Sequence, residues 1–155
     1  MKKLNLISFL SIFILFISCG YTPLYKGVKN INFSISISEI NGDRAINNLI
    51  KSKLINFRSN DLKINYNLNI KTEYFKNIIA KDTTGAATEY KLIVKSTIKL
   101  NSLIDKKEFN FQESFNMKAM NDKLEEQDYE KNIKSNLVNI IIRKLILQLS
   151  RIRWF

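Results

Sequence analysis

From Ile31 the chain alternates apolar and polar side chains: Ile31, Phe33, Ile35 and Ile37 against Asn32, Ser34, Ser36 and Ser38. That period belongs to a strand with one buried face. Asn41-Gly42-Asp43 interrupts it and offers a helix N-cap. Ile46, Leu49, Ile50, Leu54 and Phe57 then recur at helical spacing, predicting an amphipathic helix over about 43–58 that ends at Ser59-Asn60-Asp61. A second strand points Ile64, Tyr66, Leu68, Ile70 and Tyr74 one way and Lys63, Asn65, Asn67, Asn69, Lys71 and Glu73 the other. A loop of small and polar residues follows, with Lys81 to Ala87 at its tip and Gly85 as its turn residue. A third strand sets Tyr90, Leu92, Val94, Ile98 and Leu100 against Lys91, Lys95 and Lys99. After a polar turn at Asp105-Lys106-Lys107, a fourth sets Phe109, Phe111 and Phe115 against Asn110, Gln112, Ser114 and Asn116. One long helix, from about Asp122 to Arg153, closes the chain.

The order β-α-β-β-β-α, with each strand wet on one side, predicts an α+β two-layer sandwich. One four-stranded mixed sheet carries two helices on one face and leaves the other to solvent. Strands 2 to 4 form a meander. Strand 1 reaches the sheet through a helical crossover, which allows it a parallel neighbour.

The long helix has more apolar surface than one sheet contact uses. At about 100° per residue, Val138, Ile141, Ile142, Leu145, Ile146 and Leu149 fill an arc of roughly 140°, enough to face the sheet. Tyr129, Ile133, Ile140 and Leu147 form a second stripe, which either packs on the first helix or, with Gly85 of the hairpin loop, docks a partner. Arg143, Lys144 and Gln148 interrupt the apolar run and argue against a membrane span. Glu125, Glu126, Asp128 and Glu130 cluster near its start, where the helix dipole and solvation account for them.

The N-terminus changes the setting of this domain. Lys2 and Lys3 precede an apolar stretch, Leu4 to Ile17, of signal-peptide length. It ends in Phe16-Ile17-Ser18-Cys19, a lipobox-like sequence in which Cys19, the only cysteine, is the residue that would receive a diacylglyceryl group and then an N-acyl (palmitate-type) chain. The expected organisation is a lipoprotein signal over 1–18, a lipidated N-terminus and tether over 19–30, and a single domain over 31–155. Two or more acyl chains anchor a protein stably where one does not.

Composition then narrows the chemistry. The chain has no His and one Cys, so metal and redox sites lack their usual ligands, and no G-x-S-x-G elbow is present. An enzyme is not expected, nor a metal, nor any cofactor beyond the lipid on Cys19. Without Lys2 and Lys3 the balance is 23 basic to 14 acidic residues, a net +9 that favours anionic partners. Lys63, Lys71, Lys91, Lys95 and Lys99 on the wet face, with Lys81 at the loop, are candidate contacts for a phosphorylated glycolipid; the alternatives are a soluble face that discourages edge pairing and a coding bias that enriches Lys together with Asn and Ile. Nucleic acid is not expected of an exported, lipidated chain.

Cys19-Gly20-Tyr21-Thr22-Pro23-Leu24-Tyr25 resembles the mature start of lipopolysaccharide-assembly lipoproteins of the LptE family, alphaproteobacterial type. The crossover helix, the hairpin loop with Gly85 and the closing helix agree in kind. The resemblance implies an outer-membrane lipoprotein on the periplasmic side, plugging and helping to assemble the LptD β-barrel and assisting lipopolysaccharide transport, with no catalysis. Gly20 after the cysteine, rather than Asp, fits sorting to the outer membrane. A periplasmic scaffold or a glycolipid carrier of another envelope system is the alternative.

Overall fold

A computed structural model describes residues 33–58, 64–101 and 106–152; the leader, Cys19, the tether and Lys63 lie outside them. In chain order the elements are β1 (Phe33–Gly42), α1 (Arg44–Leu54) followed by a 3-10 turn at Ile55–Phe57, β2 (Ile64–Lys81), β3 (Ala87–Asn101), β4 (Lys106–Lys118) and α2 (Lys123–Leu149). The strands make one mixed sheet in the spatial order β1-β2-β3-β4. β1 runs parallel to β2 through the α1 crossover, and the other two pairs are antiparallel.

Alternation decides which face is covered. Tyr66, Leu68 and Ile70 of β2 and Leu92, Val94, Ile98 and Leu100 of β3 are buried, while Asn65, Asn67, Lys71, Lys91, Lys95 and Lys99 between them are exposed. Both helices lie on the apolar face. α1 contributes Ile46, Ile50 and Leu54, and α2 buries all six residues expected to meet the sheet. Each such side chain stabilises the fold by about 1.5–3 kcal/mol relative to exposure, so a one-residue register slip, which would turn the whole set outward, is strongly disfavoured.

Three departures from the pattern have local causes. β1 carries a bulge between Ile37 and Glu39, which restarts the alternation one residue late and sets Ile40 opposite Ile70. β2 does not stop at Tyr74 but continues to Lys81, so the polar loop shrinks to its tip. The expected docking stripe on α2 is split: Ile133 is only 4% exposed, whereas Tyr129 (38%) and Leu147 (48%) are open and Ile140 is half-buried. Ile133 precedes Leu137 and Ile141 by four and eight residues, which makes it the N-terminal continuation of the buried stripe; it is core and is removed from the partner-docking set.

α2 begins at a side-chain cap. The Asp122 carboxylate accepts the N–H groups of Leu124 (2.7 Å) and Glu125 (3.2 Å). Asp122→Ala is expected to cost about 1 kcal/mol, read as a lowered urea midpoint at unchanged m-value.

Candidate functional site

The wet face of the sheet brings together lysines scattered over three decades of sequence. Lys71 lies on β2, and Lys91, Lys95 and Lys99 lie on β3. Two are engaged: Lys71 with Glu73 of its own strand (3.3 Å), and Lys99 with Glu108 across the β3–β4 ladder (3.5 Å). Both pairs are solvent-exposed and weak. Lys91 and Lys95 have no acidic partner among the described residues, and the Lys95 Nζ sits 5.3 Å over the Phe75 ring. Phe75 is 39% exposed and faces Ile93 directly across the β2–β3 ladder. Lys91, Lys95, Phe75 and Ile93 thus form a cationic and apolar patch. That composition matches an anionic amphiphile better than a purely polar polyanion.

Phe75 was not legible as a site residue, because the second strand's pattern reads as ending at Tyr74. The signal that could have found it is strand propensity: Tyr74, Phe75, Ile78 and Ile79 favour strand, and no Gly or Pro interrupts the chain before Asp82. These residues build the outer half of the β2–β3 hairpin, where Ile78 (51%) and Ile79 (44%) are exposed beside further register shifts at Ala80 and Lys81. The tip is held by Asp82. Its Oδ1 accepts the Thr84 hydroxyl (2.6 Å), the Thr84 N–H (2.8 Å) and the Ala86 N–H (3.0 Å). The Thr84 hydroxyl above all, with those N–H groups, keeps the Asp82 carboxyl below the usual carboxylate range. Gly85 turns at φ +87° with open space around it, and Lys81 is exposed at the base of the tip.

At the root of this hairpin the acidic residues of α2 do more than complement a dipole. Glu126, 5% exposed, accepts the Met120 N–H (3.0 Å) and pairs with Lys76 (3.0 Å) and Lys123 (3.3 Å). Glu130 pairs with Lys76 (2.8 Å) and Lys134 (2.7 Å) and accepts the Tyr74 hydroxyl (2.8 Å). The two ammonium groups also lie over aromatic faces, Lys76 over Tyr90 at 4.3 Å and Lys134 over Tyr74 at 4.0 Å. Burial alone would raise the Glu130 carboxyl, but hydrogen bonds from Lys134, Lys76 and Tyr74 outweigh it and hold it down to about 2. The Met120 N–H leads the forces that lower Glu126, and burial followed by Glu130 raises Tyr74. Lys76 is pulled down by burial but raised overall by its bonds to Glu130 and Glu126. This cluster is a clamp between β2 and α2, and solvation does not account for Glu126 or Glu130.

Ser96-Thr97-Ile98-Lys99 has the spacing of a Ser/Lys nucleophile motif. On a strand, residues three apart point to opposite faces. Ser96 is buried under the helices while Lys99 is in solvent with Glu108, so the two cannot act on one substrate. Among the described residues no group of His, Cys, Asp and Glu side chains could hold a metal ion, and no helix is long and apolar enough to cross a membrane.

No family model matches the chain, and no curated protein is significantly similar to it in sequence. Solved structures do share its fold. The crystal structure of rare lipoprotein B from Shewanella oneidensis aligns with a TM-score of 0.52 at 15% identity, over 76% of this chain and 96% of that one. The solution structure of a lipoprotein B from Nitrosomonas europaea aligns at 0.50 and 13% identity, over 79% and 90%.

Proposed function

We propose that this chain is a lipid-anchored envelope protein of the LptE type, seated in an LptD-type β-barrel of the outer membrane on its periplasmic side and assisting lipopolysaccharide transport. The reading is carried by one conjunction: a lipobox-like Phe16 to Cys19 precedes a domain whose fold is that of two proteins called lipoprotein B. The Cys19 lipid supplies the anchor. The Lys91, Lys95, Phe75 and Ile93 patch supports lipopolysaccharide contact, because lipid A presents phosphates beside acyl chains. Exposed Tyr129 and Leu147 and half-buried Ile140 on α2, with Gly85 at the hairpin tip, are the remaining candidates for the barrel wall. No catalytic step is assigned.

The first test is a gentle-detergent pull-down of the full-length tagged protein from its own membranes, with mass spectrometry of what copurifies. A stoichiometric large β-barrel is the expected result; recovery alone, or with periplasmic proteins only, overturns the plug and favours a scaffold. For the lipid patch, the Lys91→Glu, Lys95→Glu double variant is expected to weaken binding of labelled lipopolysaccharide roughly tenfold at low salt, with the difference shrinking as ionic strength rises. Equal affinities at low salt would remove the patch from the lipid path.

A further inference from the structure

The two outer edges of the sheet are guarded very differently. β4 opens with Lys106-Lys107-Glu108 and ends in Lys118, so charge stands at both ends of its free edge. β1 runs Phe-Ser-Ile-Ser-Ile-Ser over 33–38 without one charged residue. Its serines do not guard the edge either, because the Ser34 and Ser36 hydroxyls turn inward to Asn65 and Asn67 of β2. Among the described residues no strand pairs with the outer side of β1. An uncharged edge of this kind presents its backbone N–H and C=O groups for strand addition.

Beside that edge lies a groove of about 360 Å³. β1 supplies one wall with Ile37 and Ile40, and the end of α1 and its 3-10 turn supply the other with Leu54 and Ile55. Ile55 is 64% exposed, the second most open large apolar side chain among the described residues. Lys51 and Arg58 also line it and have no acidic partner among those residues; against these two cations stands one carboxylate, Glu39, which accepts the Asn41 side-chain amide at 2.7 Å and keeps its charge, so the groove is cationic on balance.

We propose that the outer edge of β1 receives an extended segment of a partner protein as a fifth strand, with an apolar side chain on Ile40 and Ile55 and a carboxylate at Lys51 and Arg58. Backbone pairing supplies the affinity, and the groove and its two cations select the sequence. The charges decide against a second copy of this chain as occupant: without the leader lysines each copy carries a net charge of +9 and repels the other, whereas an acidic segment is attracted. This proposal does not depend on the barrel assignment.

The test uses full-length, isotope-labelled protein in detergent and a synthetic peptide alternating valine with threonine and glutamate. Binding is expected to slow amide exchange at Ser36 to Glu39, and Lys51→Glu with Arg58→Glu is expected to weaken it roughly tenfold. Both substituted positions are exposed, so the variant keeps the fold. Protection on β4 instead, binding that survives methylation of each of the two alternating sets of peptide amides in turn, or no binding at millimolar peptide overturns the proposal. A concentration-dependent dimer without peptide overturns it too, because it gives the edge to a second copy.

Discussion

Gly42→Ala is expected to destabilise the domain by about 3–5 kcal/mol, a large share of the roughly 5–15 kcal/mol that holds a domain folded. Gly42 ends β1 at φ +105°, opposite Thr72. A Cβ there would stand 1.9 Å from the Thr72 carbonyl oxygen and 2.8 Å from its carbon, both rigid backbone. The contact could be relieved only by moving β1 off β2 where the chain leaves the sheet. The same junction holds the Asp43 N–H to the Thr72 carbonyl (3.2 Å), the Asp43 carboxylate as cap on the Ile46 N–H (2.9 Å), and the buried Thr72 hydroxyl donating to Asn47 (2.6 Å). Displacing the strand end would therefore break the start of α1 with it. Gly85→Ala is the control, since its φ of +87° is as strained for alanine but its surroundings are open. Its cost should be only about 1–2 kcal/mol. Urea unfolding of both variants separates the two effects, and equal losses would show that backbone conformation rather than collision governs Gly42.

Legibility in the sequence followed the range of the interaction. Period-two stretches such as Tyr66 to Ile70 and Leu92 to Leu100 announced both the strands and their buried face, because one residue's orientation fixes the next. The helix after β1 allowed it a parallel neighbour, but that the neighbour is β2, at one end of the order β1-β2-β3-β4, is known only from the structure, because pairing partners are chosen by long-range packing. The bulge at Ile37/Glu39 left a trace, since Ile37 and Ile40 are three apart, but such a shift reads as easily as the end of a strand. The outer half of the hairpin was hidden because Phe75, Ile78 and Ile79 stay exposed, so no core imposes a clean alternation on them. Of the lysine face, the strand pattern already placed Lys71, Lys91, Lys95 and Lys99 together. It could not show that Glu73 and Glu108 engage two of them and leave Lys91 and Lys95 beside Phe75. The Glu126 pairing was out of reach for a different reason. Its partner Lys76 is fifty positions away, and a run of acids at a helix start has a sufficient local explanation.

That clamp carries the other large effect. Glu126→Ala is expected to cost about 2–3 kcal/mol, because it orphans the Met120 N–H and leaves Lys76 with Glu130 as its only carboxylate partner among the described residues. Glu126→Gln keeps a group able to accept the Met120 N–H and should recover part of the loss. Acid acts on the same cluster. The Glu130 carboxyl is held at about 2 in the folded chain against 4.5 for its unperturbed value, so folding favours the ionised form. Its contribution is complete above about pH 5, declines as pH falls, and is gone below about pH 2. The shift corresponds to something on the order of 3 kcal/mol, most of it lost across that window. Urea midpoints measured from pH 7 to pH 2 should therefore fall for the parent chain and fall much less for Glu130→Gln, which begins lower. Since Tyr74 and Lys76 sit at the root of the outer half of the β2–β3 hairpin, amide protection there, relative to the intrinsic exchange rate at each pH, should fall in the acidic range before that of the β1–β2 ladder does. A flat pH profile, or a hairpin that loosens only when the whole sheet unfolds, would show that the Glu126–Lys76–Glu130 contacts are surface pairs of little weight and that apolar packing alone joins α2 to β2.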